Sequence, residues 1–168
     1  MKYSNKAVLA AAIAAASTQL MANGLALNEQ SASSAGSAYA GRASTAANAS
    51  TLYGNPAGMS RLDRAEVSGG LAFIDASTDI SNAQGTAPGT NDGDMVPFST
   101  VPFGYYVSPI NDRLHAGIGI YAPFGVESDY EDGWQGRYEG LNSVVQVVTI
   151  QPTISYAFND RVSVGFGP

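Results

Sequence analysis

From residue 64 onward, apolar and polar residues alternate with a period of two, which is the pattern of β-strands. One face of each alternating stretch carries aliphatic or aromatic side chains, and in the second stretch these are Val101, Phe103, Tyr105 and Val107. Five stretches show the alternation: RAEVSGGLAFID, STVPFGYYVS, RLHAGIGIYA, VVQVVTIQPTISYAF and VSVGFGP. The pattern therefore predicts an all-β chain with five strands.

The connections between the predicted strands alternate between long and short. Residues 76–95 and 123–143 form long polar loops, whereas residues 109–112 and 159–161 form short turns. This asymmetry is typical of a transmembrane antiparallel β-barrel, and structureless loops of that length are uncommon in compact soluble domains. A Greek-key sandwich would show the same strand alternation, but it would not favour the loop asymmetry.

A membrane barrel assigns a role to each face of these strands. The apolar faces would contact lipid, and the faces rich in Gly, Ser, Thr and Gln would line the lumen. Aromatic residues near the strand ends would anchor the barrel at the membrane interface, and these are Phe98, Tyr105, Tyr156 and Phe158.

The N-terminus predicts export from the cytoplasm. Two lysines lie in the first six residues, an apolar run extends from Ala7 to Ala16, and Ala22 offers a small residue for cleavage before Asn23. These features indicate a signal peptide of residues 1–22, with a buried Ala-rich helix as the alternative. The Ala-, Ser- and Gly-rich residues 23–62 have little to pack, so we expect them to be ordered only where another part of the protein encloses them.

Composition excludes several classes of function. Without residues 1–22 the chain has six arginines, no lysine and 14 acidic residues, which is a formal charge of −8. That charge argues against nucleic acid as a partner. The absence of cysteine excludes disulfides, thiolate catalysis and Cys-ligated zinc. After Asn23 no apolar stretch approaches the length of a membrane-spanning helix. We predict no catalytic residues, no cofactor and no bound metal.

Four local features resemble functional motifs but are interpreted as ordinary structural features. A G-x-G-x-x-A match at residues 117–122 is followed directly by Pro123 and lacks a βαβ context. His115 has no Ser–Asp arrangement beside it, and NDGD at residues 91–94 lacks the further ligands of a calcium loop. The acidic residues of the second long loop are interpreted as a solvated face, with divalent-cation bridges to lipopolysaccharide as the alternative.

Five strands leave two open sheet edges, and unpaired backbone groups in lipid cost several kcal/mol each. We therefore expect the 168 residues to be the N-terminal portion of a longer protein, and we expect this portion not to close a barrel alone.

Three stretches together resemble the FadL/TodX family of outer-membrane transporters for long-chain fatty acids and other hydrophobic compounds. They are GLALNEQSASSAGSAYAGRAS followed by LYGNPAGMSRL, then SPINDRLHAGIGIYAPFG, and GRYEGLNSVVQVVTIQPTISYAFNDRVSVGFG. The resemblance implies a barrel of about fourteen strands whose N-terminal residues 23–62 fold inward as a plug, or hatch. Residues 63–168 would then be the first part of the barrel wall.

The resemblance also implies sites. Asn55, Pro56 and Ala57 correspond to the hatch motif involved in gating. Tyr121, Pro123, Phe124 and Gly125 correspond to a strand kink that opens the wall laterally. Pro123 has no N–H to donate and Gly125 weakens pairing, so a break is expected there; the alternative is that the strand simply ends at these residues. Phe124, Tyr130 and Trp134 are candidates for an external ligand groove.

The function implied is passive transport of a fatty acid or another hydrophobic small molecule, through a hatch-gated barrel with lateral exit into the outer membrane of a Gram-negative bacterium. Lipid and lipopolysaccharide would be its surroundings, and the full-length protein would be monomeric. A structural or adhesive surface barrel, or a general porin, is the alternative.

Overall fold

The computed structural model describes residues 26–85 and 87–168. The predicted signal peptide, residues 1–22, and the first residues of the predicted plug lie outside this range. Within the described ranges, no helix has the length and apolar character needed to cross a membrane.

The described chain is dominated by one antiparallel sheet. Its strands follow the order β1-β2-β3-β4-β5, so each strand pairs with its neighbours in sequence. The strands are β1 (Glu66–Ile74), β2 (Ser99–Pro109), β3 (Leu114–Asp129), β4 (Asn142–Asn159) and β5 (Val162–Phe166). The five predicted strands and the long–short alternation of their connections are confirmed. Both bounds of the second long loop were wrong: residues 123–129 belong to β3 and residues 142–143 to β4, so that connection is residues 130–141.

Four strands expose an apolar outer face, defined here as the face turned away from residues 26–62. Val67 is 78% exposed and Ile150 is 64% exposed. An exposed apolar face on a sheet matches the lipid-facing surface of a membrane barrel. Its members include Val67, Leu71, Phe73, Ile118, Ile120, Val148, Ile150, Ile154, Val162, Val164 and Phe166.

Strand β2 contradicts the predicted orientation of its faces. Val101, Phe103, Tyr105 and Val107 lie on the inner face and are buried. They sit opposite the small inner-face residues of β3, with Tyr105 paired to Gly119 and Val107 to Gly117. Period two separates two faces but does not say which one meets lipid. On β2 the larger side chains are needed inside, where they cover residues 26–62.

Aromatic residues mark both ends of the outer face. Phe73 and Phe98 stack with ring centroids 5.9 Å apart at the end with the long loops. Tyr156 and Phe158 pack edge to face at 5.2 Å near the short turn that follows β4. The prediction that Tyr105 anchors the membrane interface was wrong, because its side chain lies in the buried core instead.

Residues 26–62, called here the N-terminal segment, fold against the inner face of the sheet. The segment contains two one-turn helices, α1 (Ala32–Ala35) and α2 (Thr51–Gly54), and a 3₁₀ helix (Pro56–Arg61). It contributes four of the eight buried hydrophobic residues of the main core. That core consists of Ala49, Leu52, Met59 and Leu62 from the segment, and of Phe103, Tyr105, Val107 and Tyr121 from the sheet.

Two glycines of β3 make room for the centre of this core. A Cβ on Gly117 would lie 2.7 Å from Cδ1 of Leu52, and one on Gly119 would lie 3.1 Å from its Cδ2. Leu52 is fully buried. The N-terminal segment has few large side chains, and the sheet makes space for Leu52 by having glycine at the two positions that face it.

Replacing Leu52 with Ala is expected to loosen the segment without disturbing strand pairing. Large-to-small substitutions in cores cost about 2–5 kcal/mol. Hydrogen exchange of residues 49–62 should therefore accelerate while β4 keeps its protection. Ile150→Ala, on the outer face, is the control. Equal protection of residues 49–62 in both variants would contradict the assigned packing.

Candidate functional site

The Asn55-Pro56-Ala57 turn lies on the inner face of the sheet. Asn55 has an extended backbone, with φ −159° and ψ 91°, and Pro56 begins the 3₁₀ helix. An extended residue before proline follows from the steric clash with the proline ring. The side-chain Nδ2 of Asn55 donates to the carbonyl of Ala43 at 2.8 Å. The turn is thereby tied to an earlier part of the N-terminal segment.

Two hydroxyl groups of the wall hold the same turn. The carbonyl oxygen of Ala57 accepts from Ser155 Oγ at 3.2 Å and from Ser163 Oγ at 3.0 Å. Ser155 is on β4 and Ser163 is on β5. Gly165 on β5 faces the turn so closely that a Cβ there would overlap backbone atoms of Pro56 and Ala57. The turn is therefore seated on two wall strands.

A second feature lies on β3, where the pairing register with β4 shifts between Tyr121 and Phe124. The strand continues through Pro123 to Asp129. The alternative that the strand simply ends at Pro123 is thus wrong, and the irregularity is a bulge inside a long strand. Bulges bend a strand and leave backbone groups unpaired.

The bulge coincides with a gap in the sheet, where β2 and β3 no longer pair. Strands β2 and β3 pair only from Pro109 opposite His115 to Phe103 opposite Tyr121. Beyond that point β2 continues to Ser99 against β1, and β3 continues to Asp129 against β4. Both sides of the divergence contain a proline, Pro102 on β2 and Pro123 on β3, and proline cannot donate to a ladder.

The N-terminal segment supplies donors to the freed carbonyls. The backbone N–H of Leu27 donates to the carbonyl of Pro123 at 2.9 Å. Gln30, which is buried, donates through Nε2 to the carbonyl of Ala122 at 2.5 Å. Ala26 forms an antiparallel bridge with Phe124. Residues 26–30 of the N-terminal segment are therefore in contact with the irregular part of β3.

A cavity of about 490 Å³ lies at the gap. Small-molecule sites are commonly apolar clefts of about this size. Gly125 leaves space for Leu27 at the boundary of this cavity, because a Cβ at position 125 would lie 3.2 Å from Leu27 Cδ1. The apolar lining comes from Leu27, Ile74, Val96, Phe98, Val101, Ala122, Phe124, Val126, Val144 and Val145, and the polar lining includes Glu127 and Gln146.

A larger cavity of about 710 Å³ lies at the end with the short turns. Its lining is mostly polar and includes Asn55, Arg61, Asp112, Arg113 and Arg161. It suits water and ions better than an apolar ligand. His115 Nε2 donates to the carbonyl of Leu62 at 3.1 Å, which gives the buried histidine a structural role.

Tyr130 and Trp134 lie away from the gap cavity, so the structure does not bring them together with Phe124. Their rings stack on each other with centroids 4.8 Å apart. The loop that carries them docks on the other long loop, where Thr90 N–H donates to the carbonyl of Gly133 at 2.9 Å and Arg137 Nη1 donates to the carbonyl of Pro88 at 3.0 Å. Of the three groove candidates, Phe124 is the one that lines the gap cavity.

The acidic loops show no metal centre. Across residues 26–85 and 87–168, no three His, Asp or Glu side chains are placed to hold a metal ion. Asp94 instead organises its own turn by accepting from the backbone N–H groups of Val96 and Thr78. These hydrogen bonds lower the pKa of the Asp94 carboxyl group, and the bond from Val96 has the largest effect.

The sheet has an apolar outer face and a gap between two of its strands, and a chain segment packs on its inner face behind that gap. These features are those of a transmembrane β-barrel that holds a chain segment inside. Within that class, the chain belongs to the family described as "Outer membrane protein transport protein (OMPP1/FadL/TodX)", which it matches over residues 13–168.

Three relatives are similar to nearly the whole of this chain. The chain is 34% identical to a long-chain fatty acid transport protein of Salmonella typhi, over 96% of this chain and 37% of that protein. It is 31% identical to the protein of the same name in Escherichia coli (strain K12), over 96% and 36%. Outer membrane protein P1 of Haemophilus influenzae shares 30% identity, over 99% and 40%.

A solved structure shows the same fold. The crystal structure of a Pseudomonas aeruginosa FadL homologue matches with a TM-score of 0.67 at 24% identity, covering 86% of this chain and 36% of that one. The chain thus spans between a third and two fifths of the length of these relatives. The matches confirm the family, the fold class and the outer-membrane location that the sequence predicted.

Replacing Gly165 with Ala is expected to unseat the Asn55-Pro56-Ala57 turn. The added Cβ overlaps the turn's backbone, so the bonds from Ser155 and Ser163 must lengthen, at about 1 kcal/mol each. Hydrogen exchange of residues 55–62 should rise. Gly104→Ala is the matched control, since nothing lies within 4 Å of a Cβ there. Equal hydrogen-exchange protection of residues 55–62 in the two variants would contradict the close packing of the turn on Gly165.

Proposed function

We propose that this chain forms the hatch and the first wall strands of a transporter that carries long-chain fatty acids or other hydrophobic small molecules across the outer membrane. The observation that carries the proposal is the apolar cavity at the β2–β3 gap, closed from inside by residues 26–30. The names of the relatives support the substrate class. In this proposal residues 23–62 are the hatch, residues 63–168 are wall, and the protein is monomeric and not an enzyme.

The transport step is passive. A hydrophobic ligand gains about 0.8 kcal/mol for each methylene that leaves water, so an apolar cavity collects it without an energy source. The cavity opens between two wall strands, and the lipid beyond solvates an acyl chain at least as well. Movement of residues 26–30 away from β3 would unblock the gap and let the ligand leave sideways into the membrane.

The charge distribution fits a barrel whose long loops lie on the external side of the membrane. With the long loops outside, nine acidic residues face the exterior and Arg137 is the one basic residue among them. The acidic residues are Asp75, Asp79, Asp92, Asp94, Glu127, Asp129, Glu131, Asp132 and Glu139. The loops would meet lipopolysaccharide, and the outer face of the sheet would meet lipid.

A general porin or an adhesive surface barrel is the competing function. Uptake of labelled oleate by cells with and without the protein distinguishes these functions, together with conductance in planar bilayers. A transporter closed by a hatch should raise oleate uptake and pass little ionic current. Unchanged uptake with open-channel conductance would favour the porin, and neither effect would favour a structural role.

Replacing Asn55 or Pro56 with Ala should leave barrel assembly intact and impair ligand passage. Asn55→Ala removes the bond to Ala43. Loss of one such bond, about 1 kcal/mol, corresponds to a rate change of about fivefold. Initial oleate uptake is the measurement, and heat-modifiable migration on gels confirms assembly. Normal uptake in both variants would reduce the turn to a connector.

Filling the gap should block passage more directly. In Gly125→Leu the new side chain competes with Leu27 for the cavity wall, so oleate uptake should fall while the folded barrel still reaches the membrane. Gly104→Leu is the control, because its side chain points into open space on β2. Equal uptake by the two variants would rule out the gap as the route.

A further inference from the structure

The two short turns of the sheet have the same sequence, Asn-Asp-Arg. One turn is residues 111–113, between β2 and β3, and the other is residues 159–161, between β4 and β5. In both turns the asparagine Oδ1 accepts from the backbone N–H groups two and three residues further on, at 2.9–3.0 Å. Because such bonds fix a turn locally, the two turns present their aspartate and arginine from the same hydrogen-bonded frame.

Three arginines from different elements line the polar cavity of about 710 Å³ at this end of the sheet. Arg113 and Arg161 come from the two turns, and Arg61 comes from the end of the 3₁₀ helix. The turns are joined to each other, because the N–H of Ala157 on β4 donates to the carbonyl of Arg113 at 2.8 Å. The 3₁₀ helix is held on β4 and β5 through the carbonyl of Ala57. Hydrogen bonds therefore fix the elements that bring these cations together.

Two carboxylates, those of Asp112 and Asp160, line the same cavity. Among the described residues, the ion pair that forms joins Arg64 to Glu66, so neither carboxylate is paired with an arginine of the cavity. The charged side chains of the cavity are exposed, and single exposed charges attract each other weakly in water. A ligand that carries both signs of charge is therefore the one that matches the lining, which has three positive and two negative groups.

The lining of this cavity continues onto the outer face of the sheet. Phe158 and Val162 are part of the lining, and their side chains are 54% and 51% exposed on the outer face. The short turns of an outer-membrane barrel lie on the periplasmic side, where the membrane leaflet consists of phospholipid. A phospholipid can therefore keep its acyl chains against the outer face while its head group lies among the charged side chains of the cavity.

We propose that this cavity binds the head group of a zwitterionic phospholipid that carries a phosphate and a primary ammonium group. Arg113 and Arg161 bind the phosphate, because a guanidinium presents two N–H groups that match two phosphate oxygens. Asp112 and Asp160 accept hydrogen bonds from the ammonium group. Arg61 adds a contact from the N-terminal segment, so that one bound lipid joins this segment to the wall. The site does not depend on the proposed transport of hydrophobic molecules.

The first test removes the two cations of the turns. Binding of dioleoyl phosphatidylethanolamine to the full-length protein in a non-ionic detergent is measured by native mass spectrometry. Arg113→Gln combined with Arg161→Gln should weaken binding about tenfold, through the loss of charge-assisted hydrogen bonds. Arg64→Gln is the matched control, because Arg64 lies at the same end, pairs with Glu66 and does not line the cavity. Heat-modifiable migration on gels confirms that each variant is folded.

The second test removes the carboxylates and compares two head groups. Phosphatidylglycerol carries the same phosphate but no ammonium group, so the wild type should bind it more weakly than phosphatidylethanolamine. Asp112→Asn combined with Asp160→Asn should weaken the binding of phosphatidylethanolamine and leave that of phosphatidylglycerol equal or stronger, because the repulsion between carboxylate and phosphate is removed.

Each other result overturns the assignment. Equal effects of the arginine pair and of Arg64→Gln would attribute lipid binding to general surface charge. Weaker binding of both lipids to the aspartate variant, or equal binding of both to the wild type, would overturn the selection of a zwitterion. Displacement of the lipid by an excess of inorganic phosphate would assign the cavity to a soluble anion instead. Absence of bound phosphatidylethanolamine in the wild type would overturn the site as a whole.

Discussion

Backbone groups within a membrane must be hydrogen-bonded, because no water is available to replace a lost partner. The bulge in β3 breaks this rule locally, since β2 no longer pairs with the strand beyond Tyr121. Leu27 and Gln30 restore two of the missing bonds from inside, to the carbonyls of Pro123 and Ala122. The irregular wall therefore depends on the N-terminal segment, and the position of that segment depends on the wall.

The same dependence explains the orientation of β2. A segment rich in Ala, Ser and Gly cannot form a core by itself, so the sheet must supply the large side chains that cover it. Phe103, Tyr105 and Val107 do so from β2, whereas Gly117 and Gly119 on β3 stay small to admit Leu52. The inner face of the wall is thus divided between an apolar strand that covers the segment and a small-residue strand that receives it.

The sequence predicted what depends on local pattern, and it missed what depends on contacts across the fold. Strand alternation and loop lengths predicted the five strands and the long–short order of their connections correctly, although the second long loop was predicted to begin at residue 123 and begins at residue 130. Period two alone did not assign the faces of β2, and Pro123 signalled a break without deciding between a bulge and a strand end. Ser155, Ser163 and Gln30 carried no signal, because their partners are 92 to 106 residues away. The roles assigned to Asn55, Pro56 and Ala57 remain predictions.

The two attachments of the N-terminal segment to the sheet differ in the number of contacts that form them. Around Ala57, two serine hydroxyls, a close approach to Gly165 and the buried side chain of Met59 hold the segment to the wall. Around Leu27, a few hydrogen bonds and one side chain against Gly125 hold it. Separation near Leu27 breaks fewer contacts, but it exposes the carbonyls of Ala122 and Pro123. Those carbonyls would then need other donors, so separation there costs more free energy than the small number of contacts suggests.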